Sequence, residues 1–363
     1  MTTIEGLVRG LRRRQLQHAR LRTRLPARTT TGASAPCVYF LVPDDDEPAG
    51  GIRVMYRHVD ILNRAGVPAV VVHQQPGFHC TWFDHDTRVR DVGSVVLSPH
   101  DVLVVGEIDV DLVVARAYDG PHVVFNQNGF LTWRHGLDQV TRHYATGPGL
   151  LGTVVVSDEI EQLLRHTFPG LRVDRVRLGV DPARFAPSTR PLGRRIAYMP
   201  RRGAHDADAV LQVLRARGVI DGWHVDPIAG LSHDHVGAAL RGSDIFLALS
   251  PREGFGLPAA EAMACGAYVV GFHGLGGREF FLPQHSAPVE GGDLRGVAVE
   301  VERALDLEDR HPGWIRARGR EASQHVLGTY SPDAETADVV ATYTGFLESG
   351  RRQEQRRWRS TTR

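Results

Sequence analysis

The stretch Ser250-Pro-Arg-Glu-Gly-Phe-Gly-Leu-Pro-Ala-Ala-Glu-Ala-Met-Ala-Cys-Gly266 limits the fold more than any other part of the chain. It follows Asp244-Ile-Phe-Leu-Ala-Leu249, an apolar run short and β-prone enough to be a buried strand. Glycines and a proline then break the pattern. Leu257 to Cys265 reads as a short helix with Pro258 in its first turn and Gly266 just past its end, where each residue type is favoured. Ala267-Tyr-Val-Val-Gly271 reads as the next strand. Strand, glycine turn, helix and strand together place free backbone N–H groups and a positive helix end at a strand's C-terminal edge, which is where phosphate binds. Glu253 precedes the turn and Glu261 lies inside the helix. Carboxylates on either side of a phosphate-binding turn suit a ligand that is anionic in the middle and hydroxyl-rich at both ends, such as a nucleotide sugar. The plain alternative is a βαβ turn with two surface carboxylates.

Glu253-Gly-Phe-Gly-Leu-Pro-x-x-Glu261-Ala-Met-Ala-x-Gly266 resembles the Glu-x7-Glu signature of glycosyltransferase family 4, retaining enzymes of the GT-B fold. The resemblance implies an α/β chain of two Rossmann-like, doubly wound domains facing each other across a cleft. It also implies that Glu261 accepts from the ribose hydroxyls and that catalytic Glu253 faces the sugar hydroxyls. The donor-binding backbone would be that of Gly254, Phe255 and Gly256, with Leu257 beside them.

The rest of the chain can be read against this expectation. Residues 1–34 are Arg- and Thr-rich and read as a basic, flexible lead-in. Cys37-Val-Tyr-Phe-Leu-Val42 is the first convincing strand, a loop with Gly50-Gly51 follows, and a helix runs from about Ile52 to Arg64 before the strand Pro68–Val72. The resemblance places Gly50 and Gly51 against the donor diphosphate, and Arg53 reads either as a phosphate contact or as a surface charge. Residues 73–100 read as an irregular excursion. Asp101–Gly106 and His122–Asn126 are buried strands, the second ending in Asn126-Gln127-Asn128-Gly129. Polar amides at a strand's C-terminal edge are read here as contacts to acceptor or sugar, or as turn chemistry.

Ser157 caps a helix to about Thr167, and Gly179-Val-Asp-Pro-x-x-Phe185 resembles the family's linker into a second domain. The limits expected are residues 35–190 for an acceptor domain and 191–330 for a donor domain, with 331–363 as a helix crossing back plus a basic tail. Arg201 and Arg202 follow the strand Arg194–Met199 and match the basic pair that neutralises the diphosphate in the family. In the loop Gly274-Leu-Gly-Gly277-Arg-Glu-Phe-Phe281, Gly276 and Gly277 are expected to line the donor pocket, and Arg278 and Glu279 either reach ligand or serve structure.

Length and charge bound what remains. A chain of 363 residues leads one to expect two cores. Cys37, Cys80 and Cys265 are too few and too scattered for a disulfide framework, and no Cys/His spacing suggests a metal. All 43 basic residues are arginine, so a lysine ligand used elsewhere in the family is here an arginine or absent. Residues 1–28 hold eight arginines against Glu5, and 351–363 hold six against Glu354; at a net charge of +1 the body between is acidic. Such ends read as solvated or self-packed, or as contacts to an anionic membrane surface or to nucleic acid. No apolar run approaches the length of a membrane span, and a cytoplasmic protein, peripheral at the inner membrane face if the tails dock there, is expected.

The resemblance thus implies metal-independent, retaining transfer from a nucleotide-sugar donor, without further cofactor, to an acceptor hydroxyl. The sequence leaves the nucleotide base open, and the acceptor open among glycan, lipid-linked glycan, protein and modified DNA. Two rival readings are a nucleotide-sugar epimerase of the same fold and a non-catalytic scaffold or nucleic-acid-binding protein.

Overall fold

Two parallel sheets organise the chain. The computed structural model describes residues 23–31, 35–133, 138–188 and 193–361. Most of the expected lead-in (1–22 and 32–34) and the expected boundary near 190 lie outside the described residues.

The first sheet has seven strands: β1 Val38–Leu41, β2 Ala69–His73, β3 Val89–Asp91, β4 Val102–Gly106, β5 His122–Asn126, β6 Leu150–Val155 and β7 Val173–Arg175. Their order across the sheet is β3-β2-β1-β4-β5-β6-β7. The second sheet has five: β8 Arg195–Tyr198, β9 His224–Pro227, β10 Ile245–Ala248, β11 Tyr268–Phe272 and β12 Ala287–Val289. Their order is β9-β8-β10-β11-β12. β4, β5, β10 and β11 are buried along their whole length, as expected for parallel strands covered by helices on both faces. The expected α/β architecture of two doubly wound domains is therefore present.

Each sheet reverses its winding once, between β1 and β4 in the first domain and between β8 and β10 in the second. In an open α/β sheet, the crevice at such a reversal is where ligands bind. The loops that leave these four strands carry Gly50-Gly51, Glu107, Arg201 and Glu253–Gly256.

Local structure departs from expectation at both ends of the chain and in the excursion. Residues 73–100 are less irregular than their sequence suggests, because Val89–Asp91 adds an edge strand beside β2. Val96–Leu97 pairs in parallel with Ala27–Arg28, so part of the lead-in is docked on the body. Arg28 fixes it there, pairing with Asp119 at 3.0 Å and with Glu354 of the last helix at 3.4 Å. That helix runs from Pro332 to Thr361, so what was expected as a tail continues the helix. It crosses back to the first domain through Arg57–Glu335 (2.6 Å), Arg177–Asp338 (2.7 Å) and the Phe40–Tyr343 ring contact. No described helix is long and apolar enough to cross a membrane.

One apolar core fills the first domain and continues through Phe255, Met263 and Phe280 to Tyr330 and Tyr343, so it crosses the domain boundary. A second core, around Ile196, Leu211, Val270 and Val301, fills the other side of the second sheet. All three cysteines are free and buried.

Candidate functional site

The helix Gly50–Arg64 starts immediately after the β1 loop, with Ala49 as its N-cap and no side chain capping it. Its first N–H groups are the orphan donors that attract an anion. Its buried positions, among them Ile52, Met55, Val59 and Leu62, recur at helical spacing and seat it on the first sheet. Opposite stands the helix Leu257–Ala264, with a proline in its first turn and Gly256 as N-cap at φ 101°. Only glycine holds that left-handed backbone without strain, so the glycine here is a geometric requirement.

The two helix starts meet. A Cβ on Gly50 would stand 3.5 Å from Leu257 Cδ1. A Cβ on Gly254 would overlap the carbonyl oxygen of Gln127 and stand 2.7 Å from its carbon. Gly276 in turn packs against the Gly254 carbonyl, and Gly277 lies against the Phe255 carbonyl. The Glu253 N–H donates to the Gly274 carbonyl at 2.9 Å, and the Glu253 carbonyl accepts from Gly276 at 3.3 Å. The glycines are thus used for close backbone approach, and the half-buried Glu253 is held by its main chain at the mouth of the turn. The Phe255 ring is not at the cleft: it is buried between Phe280 (4.9 Å) and Tyr330 (5.0 Å), where it anchors the loop.

Glu261 is buried, and its partner belongs to the other domain. Arg53, in the first turn of Gly50–Arg64, places Nη2 3.0 Å from Glu261 Oε1. Arg53 Nη1 donates to His233 Nε2, and that imidazole lies 3.7 Å from the same carboxylate oxygen. Burial, with Arg53 and Arg184 close by, pushes His233 down to about 3, so its ring is neutral. Nothing in the sequence around His233 pointed to Glu261. Arg201 is exposed and donates to the Pro48 carbonyl, reaching the first domain just ahead of Gly50. The side chain of Arg202 lies outside the described residues.

The amides after β5 separate into different tasks. Asn126 is fully buried and donates to Thr132 Oγ1 at 2.5 Å, and Asn128 caps the turn Gly129–Thr132 by accepting from Phe130 at 3.0 Å. Gln127 alone faces the cleft, where its Nε2 donates to the Gly51 carbonyl at 3.1 Å. Glu279 does not reach this region. It accepts from the Asp158 N–H (2.7 Å), Arg175 (2.6 Å) and the Tyr330 hydroxyl (2.8 Å), tying the glycine loop of the second domain to a helix start in the first.

Glu107 was not anticipated. It follows β4 at the winding reversal, is 5% exposed, and accepts from the Gln127 N–H at 3.2 Å. An acidic residue directly after a run of apolar strand residues was the available sign. Burial, reinforced by Asp109, pushes its carboxyl up to about 7. The unfolded chain releases this proton near the ordinary value of 4.5 while the folded one keeps it to about 7, so folding weakens as pH rises through that window. Glu107→Gln keeps the acceptor and removes the titration. At pH 8 it should be more stable than the parent by up to about 3 kcal/mol, a difference that vanishes below pH 4.5. Denaturant unfolding of both proteins across pH 4 to 8 measures this; a pH-independent difference would contradict the assignment.

Residues 222–316 match the family model of group 1 glycosyl transferases. That segment is a glycosyltransferase domain; it begins at β9 and contains Glu253, Glu261, Gly276 and Gly277. No curated protein matches the chain by sequence. Among solved structures, a sucrose-phosphate synthase from Thermosynechococcus elongatus superposes with a TM-score of 0.67 at 14% identity, covering 86% of this chain and 100% of that one. HepE from Anabaena, solved in complex with UDP and glucose, gives 0.60 at 14% identity over 86% and 100%. A glycosyltransferase from Rickettsia africae gives 0.57 at 13% identity over 87% and 99%. The fold is GT-B.

Proposed function

We propose that the chain is a retaining, metal-independent glycosyltransferase that moves a sugar from a nucleotide-sugar donor to an acceptor hydroxyl. One observation carries this: the loops at the two winding reversals meet, Gly50 against Leu257 and Gly254 against Gln127, and bring Glu253, the Arg53–Glu261 pair and Arg201 to one boundary. In this reading Glu261 accepts from the ribose hydroxyls, and the N–H groups at Gly50 and Gly51 approach the diphosphate with Arg201. Glu253, at the mouth of the turn, faces the hydroxyls of the transferred sugar. Arginines and helix N-termini supply the charge stabilisation that a cation supplies in other sugar transferases. The acceptor hydroxyl attacks from the face the leaving phosphate occupies, and that phosphate takes its proton. The protein contributes positioning and charge. The complex of HepE with UDP and glucose supports a donor of this class.

Calorimetric titration with UDP, GDP, dTDP and ADP tests the reading. Micromolar binding of one nucleotide supports it and names the base, whereas absence of binding by all four favours the non-catalytic alternative. Glu253→Ala should lower kcat about 100-fold, the loss expected when a polar contact to the reacting sugar is removed, while leaving nucleoside diphosphate affinity within about threefold. Steady-state kinetics beside the titration would show the split, and a loss of affinity with kcat retained would overturn the roles given to the two glutamates.

A further inference from the structure

We propose that Arg53 is a charge-exchange residue of the donor site: it holds Glu261 while the domains are in contact, and releases it to the ribose by moving its guanidinium onto the donor's diphosphate. The proposal rests on the donor reading above. Arg53 is 14% exposed and Glu261 8%, and they meet at 3.0 Å across the domain boundary. The other cationic groups around Arg53 have their own carboxylates: Arg57 pairs with Glu335 and Arg184 with Asp234. The neutral His233 ring accepts from Arg53 and adds no charge. Glu261 is therefore the carboxylate that balances Arg53, and it is also the group assigned to the ribose.

One carboxylate cannot serve both partners fully. A nucleoside that took Glu261 would leave a buried guanidinium without its counter-charge, which is strongly unfavourable. A nucleoside diphosphate brings its own anion, and phosphate oxygens suit the guanidinium fork. Arg53 arises in the first turn of the helix that begins at Gly50 and Gly51, so a change of side-chain rotamer carries it from Glu261 toward the diphosphate. The latch therefore penalises ligands without phosphate and lets charged donors in. Removing Arg53 should move the two ligand classes in opposite directions, whereas a purely structural arginine would move both the same way.

The experiment titrates the parent and Arg53→Met with UDP, GDP, dTDP, ADP and the four corresponding nucleosides. The parent should bind one diphosphate tightly and its nucleoside weakly. In Arg53→Met the diphosphate should weaken at least tenfold while the nucleoside tightens at least threefold. Arg53→Gln, which keeps hydrogen bonding to Glu261 without the charge, provides a second neutral variant with the same two signs. Parallel weakening of both ligands, or no change in either, would overturn the exchange. If the parent itself binds none of the diphosphates, the donor reading fails instead, so the two failures are told apart.

Discussion

Glu261→Ala should weaken nucleoside diphosphate binding by about 100-fold or more, and should loosen the contact between the two domains as well. Hydrogen bonds to a charged group contribute about 1.5–3 kcal/mol each, and two ribose hydroxyls on one carboxylate make a loss of that order. The second effect comes from Arg53, whose counter-charge is Glu261 at 3.0 Å. Removing one member of a buried pair typically costs about 3–5 kcal/mol, because the other is left charged and unpaired. Here the domains can part and hydrate Arg53, so part of that cost should appear as a larger radius of gyration. Calorimetry with small-angle scattering measures both. Unchanged nucleotide affinity would remove Glu261 from the donor site.

Gly254→Ala should collapse turnover with far less effect on nucleotide affinity. The new methyl would overlap the Gln127 carbonyl oxygen and stand 3.0 Å from Asn128 Cα, backbone of the opposite domain that cannot turn aside as a side chain would. The domains must then separate by an ångström or more. A misplacement of that size costs about 100-fold in rate when catalysis depends on positioning. Glu261 sits in the second domain on the helix after the turn, so the nucleotide end of the proposed site would move with it as one body. Diphosphate affinity should stay within about tenfold while kcat falls about 100-fold. If kcat stays near the parent value, the contact seen between Gly254 and Gln127 is not needed for the reaction.

Much of the fold was legible because its signals are local. Buried parallel strands such as Val102–Gly106 and His122–Asn126 are bare apolar runs, and the helix Asp158–Thr167 announces itself through Ser157, whose hydroxyl accepts from the Ile160 N–H at 3.4 Å. The edge strand Val89–Asp91 was missed because it is short, mixed in polarity and paired on one side only. The length of the last helix was missed because arginines such as Arg351, Arg352 and Arg356 follow the apolar positions Val339, Tyr343, Phe346 and Leu347 along it.

The site divides along the same line. Chain neighbours within the motif, from Glu253 through Gly256 to Glu261, could be read as one device because a turn and a helix fix their relative positions. Residue types alone told that the turn would leave helix N–H groups free and which carboxylates flank it. Partners from distant segments could not be read, because pairing across a cleft depends on how two independently folded sheets are set against each other. Arg53 on Glu261, Glu107 beneath Gln127, and Glu279 on Asp158 and Arg175 are all contacts of that kind. The sequence by itself determined the buried strands and a glycine turn that opens a helix, since those follow from local hydrophobic pattern and backbone sterics, while the doubly wound architecture was implied by the family resemblance. Only the tertiary structure decided which charges face each other, because burial and counter-charge are properties of the assembled cleft.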